Sequence, residues 1–120
     1  MVLRSFGKFY GLAGLRLSVA LVSPEIAGRI GAALEKARGL LAQAVLRLKT
    51  LLANAGLEIV GGTFLFRLVQ TKDAAELFQR LRQEGIIVRR FADHPSWLRF
   101  GLPGNEAEWQ RLGAALAAPV

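Results

Sequence analysis

Three residues near the start of the chain have types and spacing suited to covalent chemistry: Ser5, Lys8 and Arg16, within Ser5-Phe6-Gly7-Lys8-Phe9-Tyr10-Gly11-Leu12-Ala13-Gly14-Leu15-Arg16. A lysine amine attacks an aldehyde only when unprotonated, and near neutral pH this requires desolvation or a neighbouring cation to lower its pKa. Arg16 is such a cation, and its guanidinium fork also matches a phosphate dianion. Ser5 adds a hydroxyl donor for the same phosphate, while Gly11 and Gly14 let the backbone pass close to a ligand. The plain reading is a glycine-rich turn with a solvated lysine. The grouped reading is a site for a ligand that carries both an aldehyde and a phosphate.

Other candidates are fewer. Arg99 falls in a strand pattern, where an arginine is ordinarily a solvated edge charge, and Arg89 and Arg90 are adjacent on a strand, so only one of them faces any given side. His94, beside Pro95, reads as a loop residue. Trp97, Trp109 and the phenylalanines read as core and contact residues, and Glu106 and Glu108 as first-turn helix acids. With one histidine and no cysteine, the chain lacks thiolate nucleophiles, disulfides and the usual soft metal ligands, so metal chemistry is not expected.

The chain has 120 residues, 52% of them hydrophobic, enough for one domain with its own core. Sixteen Lys and Arg against nine Asp and Glu give +7. Residues 1–55 hold eight basic and two acidic residues and residues 56–120 eight and seven, so the excess sits in the first half. The basic residues form no run and no RNA-binding aromatic signature or zinc-finger spacing accompanies them, so nucleic acid is not an expected partner. No uncharged stretch approaches the roughly 20 residues of a membrane-spanning helix, and Arg16 interrupts any secretory apolar region. A cytoplasmic chain with no membrane association is expected.

The elements that must position these residues follow from periodicity. Val2–Ser5 is a short apolar piece, and Leu15–Val22 reads as a strand ended by Ser23-Pro24-Glu25, a helix-start signal. Apolar residues then recur at helical spacing from Ile26 to Ala55, predicting one long amphipathic helix over 24–55, with Gly39 a point where it could break and Gly56 its cap. Strands are expected at Leu57–Val60 and Phe64–Val69 around a Gly61-Gly62 turn, a Thr71-capped helix at Lys72–Glu84, strands at Ile86–Arg90 and Trp97–Leu102, and a last helix from Asn105. This order predicts an α/β chain of α+β two-layer type, a small mixed or antiparallel sheet covered by helices. Three segments are expected: 1–23 carrying the lysine, the helix 24–55, and a small α/β domain at 56–120. The apolar stripe is longer than so small a sheet can cover, so a homo-oligomer is expected, with Leu40 to Leu52 at the contact.

Ser5-Phe6-Gly7-Lys8 followed by Gly11-Leu12-Ala13-Gly14-Leu15-Arg16 resembles the cofactor-lysine segment of fold-type I pyridoxal-phosphate enzymes, in the histidinol-phosphate aminotransferase branch. More narrowly, Gly61-Gly62-Thr63-Phe64-Leu65-Phe66-Arg67 and Trp97-Leu98-Arg99-Phe100-Gly101-Leu102-Pro103 resemble the threonine-phosphate decarboxylase family of cobalamin biosynthesis. The resemblance covers nearly the whole chain and corresponds to the C-terminal part of such enzymes, so a truncated or partial form is expected. It implies pyridoxal 5'-phosphate as cofactor, held by Lys8 with Ser5 and Arg16 on its phosphate. It also implies Arg99 on the substrate carboxylate with Arg89 beside the substrate, a phosphorylated amino acid. The implied activity is that of a decarboxylase; a histidinol-phosphate-type aminotransferase and a non-catalytic α/β interaction module are the alternatives. Ser18 stands where the family usually has glycine, and the region between Ile30 and Leu51 is short for the family.

Overall fold

The computed structural model describes residues 2–5 and 18–118. The chain divides into two compact units, Met1–Arg38 and Gly39–Val120.

In the first unit β1 (Val2–Ser5) pairs antiparallel with β2 (Ser18–Leu21), Val2 opposite Leu21 and Ser5 opposite Ser18. Helix α1 (Pro24–Asn54) starts where its sequence signals it. The Ile26 amide donates to Ser23 Oγ at 3.4 Å and the Ala27 amide to the Ser23 carbonyl at 2.9 Å. Pro24, with no amide hydrogen to lose, suits the first turn, and Glu25 faces the positive end of the helix dipole. The helix passes Gly39 unbroken, because one glycine costs only about 1 kcal/mol against the backbone hydrogen bonds on either side. It ends in a Schellman motif: Gly56 takes φ +79°, its amide donates to the Ala53 carbonyl, and the Leu57 amide donates to the Leu52 carbonyl.

The second unit holds β3 (Glu58–Gly62), β4 (Phe66–Gln70), α2 (Ala74–Gln83), β5 (Arg89–Arg90), β6 (Trp97–Gly101) and α3 (Glu106–Ala117). Its strands form a sheet in the order β3-β4-β6-β5 with every neighbour antiparallel, so of the two arrangements expected from sequence the antiparallel one holds. Leu48 and Leu52 of α1, Leu77 and Leu81 of α2, and Trp109, Leu112 and Leu116 of α3 pack with Val69, Leu98 and Phe100 of the sheet in one core. Sequence alternation in β6 explains the layering: Leu98 and Phe100 are buried, while Trp97 and Arg99 point to the other side and stay half-buried.

Several expected boundaries shift. Gly61 and Gly62 lie within β3, and the turn is Thr63–Leu65, closed by the Thr63 amide on the Phe66 carbonyl and the Leu65 amide on Thr63 Oγ1. Gly62 is required there, since a Cβ would lie 2.7 Å from the Phe66 carbonyl oxygen. Strand β5 is shortened to two residues because the Ile86 amide is spent closing a second Schellman motif at Gly85, φ +74°, on the Leu81 carbonyl. Thr71 does not cap α2; its Oγ1 accepts from the Asp73 amide and the helix begins after Asp73. At α3 the expected cap forms, with Asn105 Oδ1 accepting from the Glu108 amide at 2.9 Å, while the Glu108 carboxylate reaches back to the Gly104 amide.

The apolar stripe of α1 is covered over about half its length, but not the half expected. Within the expected contact segment Leu40 to Leu52, Val45, Leu48 and Leu52 are core residues, while Ile26, Ile30, Leu34 and Leu40 are exposed. Leu46 is exposed as well, on the outer side of the helix. No helix among the described residues is long and apolar enough to cross a membrane.

Candidate functional site

The sheet of the second unit has one face under the helices and one without them. On the latter, antiparallel register places Leu68, Arg99 and Arg89 in one row, each the cross-strand partner of the next. Directly opposed residues on one face have side chains starting about 5 Å apart, so Arg89 and Arg99 form a like-charge pair, an arrangement that costs stability unless something else compensates. Arg90, the alternate residue, pairs with Leu98 on the helix side and its guanidinium lies 5.1 Å from the Phe78 ring. The sequence expectation that only one of Arg89 and Arg90 can serve a given face therefore holds, and it is Arg89 that joins Arg99.

Aromatic rings bracket the pair. The Arg99 guanidinium lies 5.0 Å from the centre of the Phe66 ring and that of Arg89 5.7 Å from Phe91. Phe91 meets Trp97 edge-on at 6.3 Å, and His94 stacks on Trp97 at 3.8 Å with the rings 14° apart. The Trp97 indole N–H donates to Gln70 Oε1 at 3.3 Å, which orients it on the same face. Stacking of this kind holds a guanidinium by its flat surface and leaves its N–H edges free. Among the described residues no acid forms an ion pair with Arg89 or Arg99. Two adjacent cations with no acidic partner among the described residues are a candidate site for an anion, since a carboxylate or phosphate suits the donor edges of a guanidinium. Phe66 and Phe91 were not singled out from sequence as part of this arrangement; the pairing register that brings them to the arginines has no local spacing signal.

Arg47 shows the opposite situation. Its guanidinium donates two 2.7 Å hydrogen bonds to the two carboxylate oxygens of Glu106 and lies 4.6 Å from the Trp109 ring. Those hydrogen bonds, with a further one from Gln110, pull the Glu106 carboxyl down to about 2. Its donors are committed within the fold, tying α1 to α3.

Of the remaining sequence-predicted site residues, Lys8 and Arg16 lie outside the described residues. Ser5 is the last residue of β1 and sits opposite Ser18 in backbone register. In sequence Lys8 is three residues after Ser5 and Arg16 two before Ser18.

No family model matches the chain. It is 38% identical over 138 aligned positions to a threonine-phosphate decarboxylase of Sinorhizobium sp., covering 98% of this chain and 41% of that enzyme. It is likewise 38% identical to a threonine-phosphate decarboxylase of Pseudomonas aeruginosa, over 97% of this chain and 42% of the enzyme. A histidinol-phosphate aminotransferase of Dechloromonas aromatica is 33% identical over 97% and 39% respectively. Among solved structures, a putative aminotransferase from Burkholderia pseudomallei superposes with a TM-score of 0.59 at 26% identity, over 96% of this chain and 43% of that one. A histidinol-phosphate aminotransferase from Sinorhizobium meliloti, solved with pyridoxal-5'-phosphate, superposes at 0.61 over 95% and 39%, its 24% identity speaking to fold alone. The chain spans about two fifths of the length of the curated relatives it matches. Over nearly its whole length, then, this chain belongs to the aminotransferase class I-like fold, as a part-length relative of the threonine-phosphate decarboxylases and histidinol-phosphate aminotransferases.

Proposed function

We propose that this chain is a partial form of a pyridoxal-phosphate-dependent lyase that decarboxylates a phosphorylated amino acid of the threonine-phosphate type. The observation that carries the reading is the 38% identity to two threonine-phosphate decarboxylases along nearly the whole chain, against 33% for the aminotransferase. The paired arginines support it, because a substrate with both a carboxylate and a phosphate offers two anionic groups to two adjacent guanidiniums. A cytoplasmic location suits an enzyme acting on such small phosphorylated metabolites.

The donor set fits the cofactor. An amine on Lys8, a hydroxyl on Ser5 and a guanidinium on Arg16 are the groups that an aldehyde and a phosphate call for. When bound, the cofactor supplies an electron sink for the pair left on the α-carbon as carbon dioxide departs. Lys8 holds it, while Arg16 and Ser5 donate to its phosphate. Arg99 grips the substrate carboxylate and so orients the bond to be broken. Arg89 lies beside the substrate, and its charge favours an anionic one.

The test is to titrate the chain with pyridoxal phosphate, reduce with borohydride and map the labelled peptide. The expected adduct is on Lys8 and not on Lys36, Lys49 or Lys72, none of which has a serine and an arginine so placed around it. Label spread evenly over the four lysines would refute the site.

A further inference from the structure

We infer that His94 is a positioning residue for the arginine pair: stacked on Trp97, it holds the Arg89 guanidinium in place through Trp97 and Phe91. The inference rests on the reading of Arg89 and Arg99 as the place where the substrate's anionic groups bind. The loop between β5 and β6 carries an aromatic ring at every third residue, Phe91, His94 and Trp97. That spacing is the span of a β-turn, and two turns follow one another here with His94 shared between them. The His94 amide donates to the Phe91 carbonyl at 3.3 Å, and the Trp97 amide donates to the His94 carbonyl at 3.0 Å. His94 thus commits both backbone groups, one to each turn. Pro95 stands second in the later turn, where its fixed φ is suited, and it restricts the backbone of His94 before it.

Trp97 receives both of the other rings. His94 lies nearly parallel to it at 3.8 Å, and Phe91 meets it edge-on at 6.3 Å. Trp97 is itself fixed by its place in β6 opposite Gln70 and by the 3.3 Å hydrogen bond from its indole N–H to Gln70 Oε1. The Ser96 carbonyl accepts from the Thr71 amide at 2.8 Å, which anchors the second turn beside the end of β4. At the other end of the stack the Arg89 guanidinium lies 5.7 Å from the Phe91 ring. Arg89 is exposed, on a two-residue strand at the edge of the sheet. A long side chain in such a place loses much rotamer freedom on binding an anion, so a support that limits its orientations beforehand raises affinity. Arg99 differs, because it lies on the inner strand β6 and leans on Phe66 of β4. His94 therefore acts on one arginine of the two. Its removal uncovers one face of Trp97 and lets Phe91 and Arg89 spread over more orientations, while Arg99 keeps its own support.

The experiment uses the full chain with phosphothreonine as the probe. His94→Ala is expected to weaken binding about two- to tenfold, at most the worth of one aromatic pair, with little change in the urea midpoint because His94 is exposed. His94→Phe keeps a flat ring on Trp97 and is expected to restore binding. In a Phe91→Leu background His94→Ala is expected to cost nothing further, since the connection to Arg89 is already cut. The Arg89 Nε–H resonance of the ligand-free chain reads the same effect without an anion: His94→Ala should move it and His94→Phe return it. Binding unchanged by His94→Ala would overturn the proposal, as would a His94→Phe chain no better than His94→Ala or an undiminished loss in the Phe91→Leu background. A wild-type chain that does not bind phosphothreonine would instead overturn the reading of the pair as an anion site. In that case an Arg89 resonance unmoved by His94→Ala would overturn the positioning role, and one that moved would uphold it.

Discussion

Leu98 and Phe100 of β6 are 0% and 1% exposed under the helices, while Trp97 and Arg99, the residues alternating with them, face the side that no described helix covers and stay half-buried. The same division runs through β4, where Val69 is fully buried and Phe66 and Leu68 are only partly covered. One face is thus built from closely packed aliphatic and aromatic side chains that exclude water, and the other from two cations held on aromatic rings. The comparison separates two tasks that are often mixed in a small domain. Because the helix side supplies the cohesion, the open side can carry an electrostatically unfavourable pair without endangering the fold.

Substitutions on the two faces should therefore differ in kind. Phe100→Ala removes the largest fully buried side chain, and truncations of this kind cost about 3–5 kcal/mol. Against a total stability of roughly 5–15 kcal/mol for a domain this is a large fraction, and a marked fall in the urea midpoint is expected. Arg99→Leu should do the reverse. Its removal relieves the repulsion with Arg89, so the midpoint should hold or rise slightly, while binding of phosphothreonine, followed by amide chemical shifts around Leu68 and Arg89, should weaken. Loss of charge-assisted hydrogen bonds worth about 1.5–3 kcal/mol corresponds to roughly ten- to a hundredfold in affinity. If Arg99→Leu unfolded the chain as Phe100→Ala does, the division of tasks would be wrong.

A third substitution probes the join between the faces. Gly62→Ala places a Cβ 2.7 Å from the Phe66 carbonyl and close to the Arg67 side chain, which must move along with its 2.8 Å hydrogen bond to the Thr63 carbonyl. A cost of about 1–2 kcal/mol is expected from the strained hairpin, together with a shift of the Phe66 ring under Arg99. An unchanged Phe66 ring signal would mean that the hairpin does not set the position of that support.

Much of this organisation was legible in the chain itself. The long helix announced itself through Ser23-Pro24-Glu25 at one end, Gly56 at the other and an unbroken stripe between them, because helix periodicity and capping are local. Alternation in Trp97–Gly101 was equally local. What could not be read was register. Nothing in the spacing of Arg89 and Arg99 says that they lie opposite each other, since that depends on how two strands slide past one another and on where the Gly85 cap ends and β5 begins. Which half of the α1 stripe is covered was misjudged for the same reason: periodicity identifies the apolar line, but the sheet that covers it arrives from residues distant in sequence. The spacing of Ser5, Lys8 and Arg16 suggested a ligand, and the described hairpin shows only that both ends of their segment meet at Ser5 and Ser18.

The smallest effect expected concerns the arginine that has its counter-ion built in. Arg47 donates to both oxygens of Glu106 and Gln110 Nε2 adds a third hydrogen bond at 3.0 Å, and these bonds lower the carboxyl from its ordinary 4.5 to about 2. A carboxyl whose pKa is depressed in the folded state contributes stability that is present above its unfolded value and lost as pH falls through the folded one. The contribution of this pair should therefore be complete above pH 4.5 and disappear toward pH 2. Both side chains are about half exposed, so salt should screen the effect and keep it modest. Carboxyl NMR should place the Glu106 midpoint near 2 at low ionic strength, and Glu106→Gln should flatten the acid limb of the stability curve in that window alone. A midpoint near 4.5 would show that Arg47 is not committed to Glu106, and would remove the contrast drawn between an arginine satisfied within the fold and the Arg89–Arg99 pair, which has no acid partner among the described residues.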